Sequence, residues 1–282
     1  WLKENLPQNS RETLVHGDFR NGNLMVTPNG INAVLDWELA QIGDPLRDLG
    51  WLCVNSWRFG NSQLPVGGFG EIEDLLAGYQ ETSGIEVSGE QIAFWQVFGS
   101  FWWAMATLQM ANAWRLGETP SLERPVIGRR SSEAQMDIVN LLIPGEYSLP
   151  EDDTPSSAGT QLPMPAELLS GVASFLKEDV ASQLDPHNAF LARVAANSLG
   201  IAQRELQLGG TLADLEKQRL TALLGQEGDL DTLRWQLVEQ LRADLPLDTP
   251  GLTDHLRHTV AGQLVIDQPR YSALRQDAKH LH

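Results

Sequence analysis

Residues 150–165, PEDDTPSSAGTQLPMP, constrain this chain more than any other stretch. Four prolines and three acids among small polar residues can neither continue a helix nor bury a core. Whatever lies on either side must therefore bury its own apolar surface. The two sides also differ in kind. Eight of the nine tryptophans fall in residues 1–114, whereas Leu, Ala, Gln, Asp and Glu dominate after the break, where Trp235 stands alone. We therefore expect a first domain over residues 1–149, a linker over 150–163 and a second domain over 164–282, in keeping with what 282 residues usually form.

The second part reads as entirely helical. Leu191, Ala195, Leu199, Ala202 and Leu206 recur at three- and four-residue spacing, and so do Leu230, Leu233, Leu237, Leu241 and Leu245. Each series describes one apolar stripe of a helix. Gly209-Gly210, Gly225, Gly228 and LPLDTPG are expected stops, which leaves about five helices in a bundle. His255 and His258 stand at a chelating spacing, but no further ligand accompanies them.

The first part mixes classes. Residues Thr13 to Val15 read as a short strand, and NLMVT and INAVLDWE read as two more joined by a Pro28-Asn29-Gly30 turn, a hairpin signal. Residues 92–113 carry no charge and are long enough to span a bilayer, yet Gln96, Ser100, Thr107, Gln109 and Asn112 interrupt them. A helix buried on most sides is the expectation, not a membrane span. The fold class expected is mainly α with a small β-hairpin: an α+β lobe followed by an all-α bundle.

A net charge of -17 argues against a nucleic-acid backbone or an anionic membrane surface as partner. The single cysteine, Cys53, excludes an intrachain disulfide and fits a reducing, cytoplasmic setting; its apolar neighbours mark it as a core residue. The chain begins at Trp1 with no secretory signal, and we expect it to be part of a longer polypeptide.

The chemistry concentrates in HGDFRNGN, residues 16–23. Asp18 and Asn23 sit in a loop beside one arm of the hairpin, and Asp36 ends the other arm. A hairpin brings its outer ends together, so the three can converge. Asn23 and Asp36 are hard oxygen donors suited to Mg²⁺ on nucleotide phosphates, and Asp18 is a separate carboxylate able to take a hydroxyl proton. The competing reading has Asp18 and Asn23 capping turns and Asp36 capping a helix. Spacing leaves both open.

HGDFRNGNLMV followed by AVLDWELAQIGDPLRDLGWL resembles the catalytic core of the aminoglycoside phosphotransferase and choline kinase superfamily. LDWELAQIGDPLRDL is most similar to the kinase-like domains associated with acyl-CoA dehydrogenases. The resemblance implies a protein-kinase-like C-terminal lobe over residues 1–149. It implies Asp18 as catalytic base, His16 as the residue steadying the loop, and Asn23 and Asp36 as the Mg²⁺ ligands that hold ATP. Asp44 and Asp48 would organise the loop and the next helix, and Arg20 fills a variable position. The second domain resembles a small helical domain of unassigned function.

One departure matters. Only fifteen residues precede His16, too few for the Gly-rich loop and strand Lys that clamp a nucleotide in kinases. GGFGE, residues 67–71, reads as a flexible loop and does not replace them. Either the nucleotide lobe comes from an upstream segment or another chain, or the protein is a degenerate kinase, and the chain alone is expected to be inactive. The function expected is ATP- and Mg²⁺-dependent phosphoryl transfer to a small-molecule hydroxyl, with a hydroxy-acyl thioester favoured over an aminoglycoside. The alternatives are a non-catalytic scaffold whose helical domain binds a protein, and a metal-dependent phosphohydrolase.

Overall fold

The computed structural model describes residues 1–8, 11–118, 121–143, 145–150 and 163–276. Residues 151–162 of the expected linker, and His280 and His282, lie outside them. The fold is mainly α with two small antiparallel sheets. The strands are β1 (Thr13–Val15), β2 (Leu24–Thr27), β3 (Gly30–Val34) and β4 (Gln41–Gly43). The helices are α1 (Leu46–Leu52), α2 (Ile72–Ser83), α3 (Gly89–Arg115), α4 (Glu123–Arg129), α5 (Ser131–Leu142), α6 (Pro165–Ser174), α7 (Pro186–Leu224), α8 (Leu230–Arg242), α9 (Leu252–Asp267) and α10 (Ser272–Gln276). The chain forms two compact units. One is Trp1–Met105 with Glu133–Leu141, and the other is Ala106–Ser132 with Leu142–His282.

In the first unit β2 and β3 form the expected hairpin, with Leu24 opposite Val34. A second sheet pairs β1 with β4, Leu14 opposite Ile42. β4 lies in QIG, where a single apolar residue beside a glycine carries no strand signal. The core under these sheets gathers Leu46, Leu49, Leu52, Cys53, Val66 and Ile92, with Phe19 packed against it. Residues 67–71 form a closed turn, not a flexible loop: Val66 and Gly70 bridge, and the Gly67 carbonyl accepts from the Asn21 amide at 2.8 Å.

The helix expected at 92–113 is α3. Ile92, Phe94, Val97, Ser100, Ala104 and Thr107 are buried, but Phe101, Met105, Leu108 and Trp114 are each more than two-fifths exposed. Burial on most sides thus holds only for its first half. Among the described residues no helix is long and apolar enough to cross a membrane.

The second unit keeps five helices from α6 to α10. The α8 stripe is as expected: Leu233 and Leu237 close over Leu220 and Leu252, with Leu230, Leu241 and Leu245 beside them. Two expectations for α7 are corrected. It runs unbroken through Gly209-Gly210 to Leu224 and ends at Gly225, where φ is +66°. Each glycine costs about 1 kcal/mol in a helix, a loss that packing along a 39-residue helix absorbs. Its buried face is also turned from the expected stripe: Ala189, Ala192, Ala196, Ile201 and Leu208 are inside, while Leu206 is 60% exposed. Alanines permit close approach of a neighbouring helix, so a leucine count misjudges the face. His258 is held by two hydrogen-bond contacts: Nδ1 lies 3.0 Å from the Asp254 carbonyl, and Nε2 accepts from the backbone N–H of Ser148 at 3.2 Å. No group of three or more His, Cys, Asp or Glu able to hold a metal exists among the described residues.

Candidate active site

The loop between β1 and β2 is shaped from three directions. From below, Asp48 on α1 accepts the backbone N–H of His16 at 2.7 Å and of Gly17 at 2.9 Å. Gly17 has φ +83°, and a Cβ there would lie 2.4 Å from the Leu39 carbonyl oxygen. Only glycine fits that close approach in the left-handed region. Asp44 accepts from the Leu46 N–H at 2.9 Å, at the start of α1. Asp44 and Asp48 thus take the organising roles read for them.

Leu35 ties the loop to the hairpin. Its N–H donates to the Asn23 carbonyl at 2.8 Å, and its carbonyl lies 2.9 Å from Nε2 of His16. Because Nδ1 of His16 accepts the Asp18 N–H at 3.2 Å, the proton belongs on Nε2, which donates to Leu35. His16 is 3% exposed and meets Trp37 edge-on with centroids 4.6 Å apart. It joins the loop to the residue that follows β3. Asp36 follows Leu35 directly, exposed, with φ 67° and ψ 62°. A non-glycine residue in that region is uncommon and marks a position worth attention.

The third direction is a set of donors on Asp18. Its carboxylate accepts Nδ2 of Asn23 at 2.7 Å, Nε1 of Trp51 at 2.8 Å and Nε of Arg20 at 3.0 and 3.2 Å. Nδ2 of Asn23 also donates to the Asp18 carbonyl at 2.9 Å. With the Asn23 amide nitrogen engaged, Oδ1 is its remaining donor to a cation. The Asp18 side chain is only 14% exposed, so it lies in a lined niche. Arg20 stacks over Trp57 at 4.9 Å, and Trp57 belongs with Trp51, Trp102 and Trp103 to one aromatic cluster.

The structure therefore brings His16, Asp18, Asn23 and the Asp36 backbone together. Trp51, Phe19 and Asn21 were missed. Trp51 sits three residues after Asp48 and so on the same face of α1, a signal that was present in GDPLRDLGWL but had no partner in sequence. Arg20 gains a definite contact in its ion pair with Asp18.

An Asp- and Asn-bearing loop is thus held by Asp48 of α1 beside a hairpin whose second strand is followed by Leu35 and Asp36. Residues 1–85 match the phosphotransferase enzyme family, and residues 182–271 match a domain of unknown function (DUF6285). The resemblance read from HGDFRNGN and LDWELAQIGDPLRDL thus stands for the N-terminal segment. The chain is 29% identical over 208 residues to acyl-CoA dehydrogenase family member 11 of Pongo abelii, covering 64% of this chain and 25% of the relative. It is 50% identical over 56 residues to acyl-CoA dehydrogenase family member 10 of Mus musculus, covering 19% and 5%. It is 28% identical over 142 residues to a probable acyl-CoA dehydrogenase, IBR3, of Arabidopsis thaliana, covering 44% and 17%. The chain spans a quarter or less of the length of these relatives. No solved structure matches.

Proposed function

We propose that the first unit is the catalytic segment of an ATP- and Mg²⁺-dependent phosphotransferase acting on a small-molecule hydroxyl. The observation that carries this reading is the pair of hydrogen bonds at Leu35, its N–H donating to the Asn23 carbonyl and its carbonyl accepting from His16, which sets Asp36 beside the Asp18 loop. Asn23 Oδ1 and the Asp36 carboxylate are two hard oxygen donors, the number a Mg²⁺ ion takes from protein when phosphates supply much of the rest. The donor set fits the ion, and the bound metal would neutralise phosphate charge. Asp18, oriented by Trp51, Arg20 and Asn23, is suited to receive the acceptor's proton. Arg20 adds a cation beside that carboxylate, suited to an anionic acceptor. An acyl-thioester alcohol is the acceptor class we favour, because the relatives are named for acyl-CoA chemistry.

The groups that clamp the nucleotide are supplied from outside these 282 residues, by an upstream segment or another chain. Leu14, Met25, Val26, Ile31 and Ile42 are each half or more exposed on the small sheets, an apolar surface of the kind a packed element covers.

A second reading has its own observation. The Asp18 carboxylate already accepts from three side chains of its own chain, as the keystone of a non-catalytic scaffold would. Asp18→Asn separates the two. In the complete protein, catalysis predicts a loss in kcat on the order of 10²–10⁴-fold per folded molecule, with KM for ATP little changed. The scaffold predicts a lower Tm with turnover per folded molecule preserved. Because the niche is tight, some loss of stability accompanies either outcome, so kcat is normalised to the folded fraction.

A further inference from the structure

A groove of about 570 Å³ opens within the second unit, walled by α6, the π-helical turn Phe175–Val180, α7 and the chain after α9. Lys177, Arg193, Arg204 and Arg270 line it, and Glu178 is the single acid of the lining. In a chain with 37 acids and 20 basic residues, four cations around one concavity run against the overall charge. Among the described residues Lys177, Arg193 and Arg270 make no ion pair, whereas Arg129, Arg234 and Arg242 of the same unit all do. Lys177, Arg193 and Arg270 are exposed, so solvent tolerates their repulsion, and an anion in the groove would be attracted by all of them at once.

Two features hold the groove in this form. Arg204 is fixed by donating Nε to the Ile266 carbonyl at 2.6 Å and Nη2 to that of Asp267 at 3.4 Å, at the C-terminal end of α9. Its cation is disfavoured by burial first; Asp267 supports it, and Arg129 and Arg270 add repulsion. Gly200 lies one turn before it in α7. A Cβ at Gly200 would stand 3.2 Å from Nη1 of Arg204, so the helix gives up propensity where that guanidinium lies. The π turn that presents Lys177 is a form enriched at functional sites.

The lining also selects. It holds Ser170, Ser174, Asn197 and Gln203, but no aromatic side chain on which a base could stack. We infer that this groove binds a small, multiply phosphorylated anion, gripped through its phosphates by Lys177, Arg193, Arg204 and Arg270. The volume is within the range of small-molecule sites and exceeds the needs of a single phosphate.

Calorimetric titration of the whole chain with tripolyphosphate, pyrophosphate and orthophosphate tests this. Affinity should rise with the number of phosphates, tripolyphosphate binding on the order of tenfold or more tighter than orthophosphate. Arg193→Glu with Arg270→Glu should weaken tripolyphosphate by about tenfold or more, while Lys217→Glu with Arg242→Glu, an equal change of net charge outside the groove, should change it by less than about twofold. Should the double reversal unfold the domain by circular dichroism, Arg193→Gln alone carries the test and should still weaken binding. Equal losses in both charge-matched pairs would reduce the effect to bulk charge and overturn the site. So would equal affinity for orthophosphate and tripolyphosphate, or binding of heparin or an acidic peptide with none of tripolyphosphate.

Discussion

The indole Nε1 of Trp51 donates to Oδ1 of Asp18 at 2.8 Å, across 33 residues of sequence. Asp48, one turn earlier on the same helix, accepts the backbone N–H groups of His16 and Gly17. A single seven-residue helix therefore sets both the backbone of the loop and the orientation of its acid. The rigidity of the site rests on α1 as much as on the loop residues themselves.

Trp51→Phe keeps a ring and removes this donor. It should cost about 1.5–3 kcal/mol more than Trp57→Phe, since the first loses a hydrogen bond to a charged group. The Trp57 indole nitrogen is buried without a partner, so its removal sacrifices no such bond. Both changes leave a similar void, which the comparison cancels. Urea denaturation of the two variants is the measurement; equal losses would show that the bond to Asp18 adds nothing.

Gly17→Ala should destabilise by about 2 kcal/mol or more, because a side chain is strained at φ +83° and its Cβ meets the Leu39 carbonyl. Thermal unfolding reads this directly. A change within about 0.5 kcal/mol, the scatter of an ordinary surface substitution, would mean the loop relaxes freely and is not held at this point.

His255 gives a pH dependence with a definite sign. Burial lowers its pKa below the ordinary 6.5; Glu216 and Asp254 oppose that shift, and Arg219 and Arg234 add to it. The unfolded chain thus takes up a proton near pH 6.5 that the folded chain still refuses. Its contribution is fully present above that pH and is lost as pH falls toward the folded pKa. The stability advantage of the natural protein over His255→Asn should shrink between pH 7 and pH 5, measured by Tm at each pH. An advantage that grows on acidification would mean the imidazole is charged inside the fold.

How much of this was legible in the sequence depended on the range of the interaction. The β2–β3 hairpin followed from a turn tripeptide between apolar runs, and α8 from leucines at regular spacing, because both are patterns of neighbours. The α7 glycines misled, since helix propensity is a small local quantity that packing overrides. β4 was invisible because QIG holds one apolar residue beside a glycine, unlike TLV of β1, and it exists only by pairing with β1 across the intervening chain.

The same division runs through the site. Residues 16–23 and 36 determined by themselves which groups are present: an acid, an amide and a second acid in a Gly-containing loop next to a hairpin. Only the tertiary structure decided what holds them. Asp18 is enclosed by Trp51 and Arg20, Phe19 packs against the core, and His16 turns inward to Leu35 instead of outward. In the second unit four cations are spread from position 177 to 270 with no local pattern to join them; folding set them around one groove. The reason is physical. Composition and periodicity record what each residue does with its near neighbours, whereas a buried hydrogen bond or a cluster of like charges depends on which distant segments the packing of the core brings into reach.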